Sequence, residues 1–326
     1  MEYQYLIDVN DEKNWHCPIT NAEANGTVWE EARTIHYPYG PDSLMRVTDS
    51  VFYPQPSTHI HYHRAAYEIF FWSMASFDLY HDGKVATVEP GCISLVRPYE
   101  PHGFSFREPT RKVGFFHRVA MAEEDGLASA LLREHDPAAR KSPEFPDSVG
   151  VFADFVHGEN PVGYERITWQ EMPGVRHLSK ALSEEKFEGV TMKQIIARWE
   201  TGGVKEIWAA EMEKGFYAKS TLYPAKAEMF FVTDGEVKFR IYDTEFIAHK
   251  ECIVKIPKYA RYEIEALTDA VMYDVNGQTD WFNFFLERRT IQLGSPERFN
   301  DPAEMKQLKR KHLCDIETLG KKPANA

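Results

Sequence analysis

The chain has 326 residues, length enough for about two domains, and its 43% apolar and 27% charged residues make an ordinary globular composition. That excludes a disordered, collagenous or coiled-coil chain. With 50 acidic against 38 basic residues the formal charge is −12, a field that repels phosphate backbones and anionic membranes. The expected partner is therefore a small-molecule substrate, with no nucleic acid and no membrane.

Glu2, Asp8, Asp11, Glu12 and Lys13 stand where a signal peptide needs its apolar stretch. The longest core run, Ile69 to Phe77, is far shorter than the ~20 residues that span a bilayer. Cys17, Cys92, Cys252 and Cys314 lie far apart without a Cys-x-x-Cys pair, against a zinc ribbon or a disulfide framework. A soluble, cytoplasmic protein is the expectation.

In chain order, residues 45–119 show short β-branched and aromatic runs broken by turn signals at Asp82-Gly83 and Glu89-Pro90-Gly91, an antiparallel β pattern. A helix is predicted over Glu123 to His135 from acidic residues at its start and basic ones at its end. Lys141-Ser142-Pro143-Glu144-Phe145-Pro146 reads as surface linker. Strands resume at Thr191 to Glu200 and Val204 to Glu211, with Thr201-Gly202-Gly203 as the turn. Near the end, Asp301-Pro302-Ala303-Glu304 carries an N-cap, a proline at the first helical position and a carboxylate at the third. The predicted organisation is a first β-barrel module over 1–140, a linker with some helix over 141–190, a second barrel over 191–278 and a helical segment over 279–326. The fold class is all-β.

The two modules repeat. Glu68-Ile69-Phe70-Phe71 recurs as Glu228-Met229-Phe230-Phe231, and 24 residues after each glutamate comes Cys-Ile, at Cys92-Ile93 and Cys252-Ile253, each leading to a proline at Pro98 or Pro257. Agreement in spacing, Cys-Ile and proline points to duplication.

The chemistry-bearing segment is His61-Tyr62-His63-Arg64-Ala65-Ala66-Tyr67-Glu68, followed by Pro98-Tyr99-Glu100-Pro101-His102. Residues two apart on a strand share a face, so His61 and His63 aim into one interior, and a short turn returns Glu68 to it. His102 arrives from a strand brought near by barrel closure, completing three imidazoles and one carboxylate around one divalent metal ion. That donor set suits Fe2+, Mn2+, Ni2+, Co2+ or Zn2+. Phe70 and Trp72 share parity with Glu68 and should line the pocket, and Tyr53, Arg97 and His117 are further candidates for substrate contact. Arg97 either clamps a carboxylate or phenolate, or faces solvent. His59 is a pocket-lining proton carrier or, in a shifted register, a ligand. His81, beside Asp82-Gly83, is expected in solvent.

In the second module, aligning by glutamates sets Thr221 and Tyr223 opposite His61 and His63, and aligning by prolines sets Arg261 opposite His102. Only Glu228 survives, so this barrel is expected to hold no transition metal. A homo-oligomer is expected from open β edges and from Trp281, Phe284 and Phe285, which share a helical face that can cover a partner or dock on its own barrel.

The arrangement resembles the cupin superfamily, whose first motif is His-x-His, three or four residues and Glu, and whose second has Pro and then His after a Gly-led strand, here Gly91, Pro98 and His102. It departs at Glu100, where many cupins have glycine. Extended to the repeat, the resemblance implies a bicupin. His63-Arg64, Glu68 and Pro101-His102-Gly103 are also similar to the metal region of the homogentisate dioxygenase family, with the glutamate one residue sooner. The leading expectation is thus a dioxygenase using Fe2+ on a small aromatic or enolic substrate, with Glu68 and His59 moving protons. One alternative is a non-oxidative metal-dependent hydrolase, isomerase or decarboxylase; a second is a non-catalytic small-molecule-binding cupin.

Overall fold

The computed structural model of the chain describes residues 4–22, 26–36, 46–54, 60–63, 67–117, 153–155, 163–203, 205–220, 227–276, 281–312 and 316–321. The helix predicted over Glu123 to His135, the linker Lys141 to Pro146, His59, Thr221 and Tyr223 lie outside them. The architecture is mainly β, with short helices near the C-terminus, and divides into two compact units.

The first unit comprises Glu12–Tyr39 and Met45–Lys180. Its larger sheet runs in the spatial order Val175–His177, Cys92–Val96, Tyr67–Ser73, Thr110–His117, Arg46–Phe52, Val28–His36 and His16–Ala22. Its second sheet runs Ala153–Phe155, His61–His63, His102–Phe106, Phe77–His81, Lys84–Val88 and Glu165–Arg166. Between the sheets lies a core of Trp29, Phe52, Phe70 and Trp72 from one and Phe77, Leu79, Phe104 and Phe106 from the other. This is the barrel-like layering that alternating strands require, although the sheets do not close into one hydrogen-bonded ring among the described residues.

Residues 163–180, within the stretch read from sequence as linker, are structural parts of this unit. Trp169, Met172 and Val175 are buried in its core, and Val175–His177 pairs with Cys92–Val96 because that strand would otherwise present an open edge.

The second unit comprises Met1–Asp11, Gly40–Leu44 and Ala181–Ala326. Its sheets run Leu6–Asp8, Cys252–Ile256, Glu228–Asp234, Ala270–Asp274, Ile207–Met212, Val190–Ile196 and Ser183–Phe187, and Thr244–Ala248, Val237–Ile241, Tyr262–Ala266, Phe216–Ser220 and Ile316–Lys321. The N-terminal strand, grouped from sequence with the first module, joins this unit instead. Ile7 is buried opposite Ile253, and Tyr5 stacks on Phe246.

The helix Pro302–His312 starts as its sequence signals, with the Asp301 carboxylate accepting from the Ala303 N–H at 2.8 Å. In the helix Trp281–Gly294, Phe284 and Phe285 are buried in the second unit's own core. The aromatic stripe thus docks on its own barrel at these two positions and gives no support to an oligomer; the Trp281 side chain is outside the described part.

The duplication is visible in the backbone. Left-handed conformations recur at Asp82 and Tyr242, at Gly91 and Glu251, and at Tyr99 and Tyr259. From the last pair the third residue onward is His102 in one unit and Tyr262 in the other. Tyr262, not Arg261, is therefore the counterpart of His102, and Arg261 is exposed. Matching by proline slips by one residue because Pro98 directly precedes its left-handed tyrosine whereas Lys258 intervenes after Pro257.

Candidate metal centre

Strand pairing brings two of the expected ligands, Glu68 and His102, into contact and sets His61 beside His102, although His61, Glu68 and His102 are not all within 4.8 Å of one another. His102 pairs directly with His61 across two antiparallel strands, and their ring centroids are 4.2 Å apart. Glu68 enters from the facing sheet, where it pairs with Val96 and Phe116. The His102 ring (0% exposed) brings Nε2 to 3.1 Å from Oε2 of Glu68 (3% exposed). On the other side of the ring, Nδ1 donates to the Glu100 carbonyl at 3.0 Å, a contact only a ring N–H can make. Nε2 therefore addresses Glu68 either as an imidazolium donor or, with Glu68, as one of two donors to a shared cation. Two ligands about 2.1 Å from one ion and at right angles to each other stand about 3.0 Å apart, so the spacing fits the second arrangement. His61 is half-buried, and the His63 backbone lies two residues along the same strand; the His63 side chain is outside the described part.

Glu100, the departure from the cupin pattern, holds the turn that delivers His102. Its carboxylate accepts from the Arg97 N–H at 2.8 Å, pairs with the Arg97 guanidinium at 3.1 Å and lies 3.0 Å from His81 Nε2. Burial pushes this carboxyl up, but the hydrogen bonds from His81 and Arg97 and their charges outweigh it and hold the pKa below the ordinary carboxylate range. Arg97 is thereby engaged with Glu100. His81 is not in solvent as expected: it ends a strand directly opposite His102 and is 2% exposed.

The expected lining residues separate. Phe70 and Trp72 do point inward, but they are packed in the core, Trp72 at 4.1 Å from the Phe77 ring and bonded through Nε1 to Ser94 Oγ at 2.8 Å. Tyr53 donates its hydroxyl to Glu31 at 2.7 Å, which together with burial raises its pKa. His117 ends its strand opposite Tyr67, with its side chain outside the described part.

Sequence reasoning missed Lys112. In the pairing of Thr110–His117 with Tyr67–Ser73, Phe116 faces Glu68, Gly114 faces Phe70 and Lys112 faces Trp72, so Lys112 shares the inward face with the glutamate. Its ammonium is buried 4.1 Å from the Phe70 ring centroid and 5.0 Å from that of Phe52. Between them, Gly114 leaves room for the Phe70 ring: a Cβ there would come 3.2 Å from Phe70 Cδ1 and 3.0 Å from Thr48 Oγ1. Burial drives the Lys112 pKa down, and the Glu30 and Glu68 carboxylates oppose it. Glu30 is itself buried and accepts from Asn21 at 2.9 Å.

The second unit has a different answer at the same place. Tyr262 donates its hydroxyl to Glu228 at 2.8 Å, where His102 meets Glu68 in the first, and Ser220 pairs with Tyr262 as His61 pairs with His102. A phenol satisfies a carboxylate, but phenol and serine hydroxyls are poor ligands for a transition metal. The buried thiols of Cys92 and Cys252 are both pushed up to about 11, first by burial, so neither is a nucleophile at neutral pH.

No family model and no curated protein matches the chain. Solved structures do. The chain is similar to the oxalate decarboxylase of Lactobacillus farciminis in complex with formate, at 12% identity and a TM-score of 0.52, covering 94% of this chain and 97% of that one. It is also similar to a single-site variant of the Bacillus subtilis oxalate decarboxylase, at 14% identity and a TM-score of 0.56, covering 99% and 90%. At such identity the likeness establishes architecture alone, and with the internal repeat and the paired sheets of each unit it shows that the chain has a two-barrel, bicupin-type fold.

Proposed function

We propose that the first unit is a metal-dependent decarboxylase of small carboxylic acids, a lyase rather than the dioxygenase that the sequence suggests first. The observation that carries this reading is Lys112, a buried amine on the same inward face as Glu68. A cation held out of water is costly; the Glu30 and Glu68 carboxylates offset part of that cost, and a substrate carboxylate entering beside them would offset more. The slot for a flat aromatic ring has no comparable support, because Phe70, Trp72, Phe52, Phe77, Phe104 and Phe106 pack on one another, with Phe52 and Phe106 stacked at 4.8 Å. The fold likeness to oxalate decarboxylases agrees with the non-oxidative alternative.

His61, His63, Glu68 and His102 would hold the ion, and a bound divalent ion supplies Lewis acidity toward a carboxylate and its neighbouring carbonyl. Lys112 binds and orients the acid by charge. The aromatic wall excludes water, which strengthens that contact. Loss of CO2 leaves an electron pair on carbon that must take up one proton, and the Lys112 N–H is the donor on that face. With the oxygenase reading set aside, Fe2+ has no priority over Mn2+, Co2+, Ni2+ or Zn2+.

The test is a reconstitution series. Chelator-stripped protein loaded with each ion is offered short keto and dicarboxylic acids and, separately, catechols and enols, while CO2 release and oxygen uptake are followed. CO2 from an acid under anaerobic conditions is expected. Oxygen uptake with a catechol and no CO2 from any acid would restore the dioxygenase.

A further inference from the structure

The second unit carries a group of side chains unrelated to Glu228 and Tyr262. Strand Leu6–Asp8 pairs with Cys252–Ile256 so that Asp8 lies directly opposite Cys252, and the turn into Cys252 begins at His249, whose carbonyl accepts from the Cys252 N–H at 3.0 Å. One carboxylate oxygen of Asp8, one ring nitrogen of His249 and the sulfur of Cys252 all lie within 4.8 Å of one another. All three residues belong to the same compact unit.

We propose that Asp8, His249 and Cys252 form a second metal site, for a thiophilic divalent ion such as Zn2+, with its remaining position open to water. The donor set is one that zinc takes, and His249-x-x-Cys252 has the short spacing by which a turn brings two ligands together. The supporting bonds are those of a ligand set already oriented. His249 Nδ1 lies 3.0 Å from the Lys250 carbonyl, which only its N–H can satisfy, so Nε2 is the coordinating atom. That Nε2 is 3.6 Å from Asp8 Oδ2, against about 3.3 Å for nitrogen and oxygen on a tetrahedral zinc. The other carboxylate oxygen, Oδ1, accepts from the Asn10 N–H at 2.9 Å, which fixes the direction in which Oδ2 points. Cys252 closes the site from below at 0% exposure, while His249 is 53% exposed and gives the ion a path from solvent. On binding, the sulfur forms its bond to the ion and the thiol proton leaves to water.

The corresponding place in the first unit is built from other residues. His177 pairs with Cys92 and Glu89 begins the turn, so the histidine and the carboxylate have exchanged positions. Those three are not gathered within the same distance, and Asp8, His249 and Cys252 are the only such group among the described residues. Cys92 is thus an internal control.

The probe is Co2+, titrated into chelator-stripped full-length protein and followed by absorbance. The site of His61, His63, Glu68 and His102 has no sulfur, so a thiolate-to-cobalt band in the near ultraviolet reports the second site alone. The band is expected to saturate at one equivalent, to vanish in Cys252→Ser and to persist in Cys92→Ser. His249→Ala, at a half-exposed position that the fold tolerates, should weaken cobalt binding more than about 100-fold, since even loss of a ligand's supporting bond costs 10- to 100-fold. Absence of the band from the wild-type protein would overturn the proposal, as would its survival in Cys252→Ser or its loss in Cys92→Ser. Cobalt bound without the band would still be compatible with the first unit's metal centre, so the two assignments fail separately.

Discussion

Replacing Lys112 by methionine removes an ammonium while keeping the length of a side chain that lies among Phe52, Phe70 and Phe104. Burial lowers the lysine's pKa further than Glu30 and Glu68 raise it, so the folded chain disfavours the charged form. Replacing a buried ionic group by an apolar side chain is neutral or gains ~1–4 kcal/mol when no partner charge is stranded, and costs ~3–5 kcal/mol when a tightly paired one is. Glu30 loses a nearby cation but keeps its bond from Asn21, and the folded chain disfavours the ammonium, so a small gain is expected. Lys112→Met should therefore stabilise the metal-free protein at pH 7 by about 1–2 kcal/mol. The gain should shrink as pH rises toward the unfolded lysine value of about 10.4, because the folded chain holds the Lys112 proton less tightly than the unfolded chain does. Urea unfolding at pH 7 and pH 9.5 measures both. In the metal-loaded protein the same change should weaken binding of a short dicarboxylate about 10- to 100-fold, the loss of a charge-assisted hydrogen bond of ~1.5–3 kcal/mol. A variant that is less stable at pH 7 and binds the acid as well as wild type would refute the reasoning and make Lys112 structural.

In the second unit, Tyr262→Phe removes the hydroxyl from Glu228, both buried, and should cost about 1–3 kcal/mol of stability in urea without altering metal content. Lys205 is fully buried, and burial, opposed by Asp274, brings its pKa down to about 7. Wild-type stability should accordingly rise with pH between about 7 and about 10.4, and Lys205→Met should remove up to ~1.4 kcal/mol per pH unit of that slope. An unchanged slope in unfolding curves would place the proton elsewhere. Glu100→Gln keeps a hydrogen-bonding side chain but loses the charge that pairs with Arg97 and His81. Because the Glu100 carboxyl is held below its ordinary range, its stabilisation is present above about pH 4.3 and lost below it, so the variant should show a weaker acid destabilisation than wild type.

Much of the fold was legible because alternation on strands writes the inward face directly into the sequence. Glu68, Phe70 and Trp72 face inward as their alternation requires, though Phe70 and Trp72 pack in the core and do not line a pocket; the helix that starts at Asp301 is legible from its own cap signal. Tertiary pairing was not legible. Lys112 lies in an Arg-Lys-Val-Gly run that looks like a solvated strand end, and only its register against Trp72 turns it inward. His81 reads as a turn residue until its strand is seen to pair with His102. The proline match misplaces Arg261 opposite His102, whereas the glutamate and Cys-Ile register already points to Tyr262, and the left-handed tyrosines that mark the turn agree with it. The edge strands Leu6–Asp8 and Val175–His177 have no strong pattern of their own and are fixed by the open edges they cover.

The most direct measurement is an anomalous-difference map from crystals grown with Mn2+ and malonate, a hard ion and a small diacid. The account predicts a peak among His61, His63, Glu68 and His102, with a malonate carboxylate reaching to the Lys112 amine. No peak there, or malonate bound away from Lys112, would contradict it.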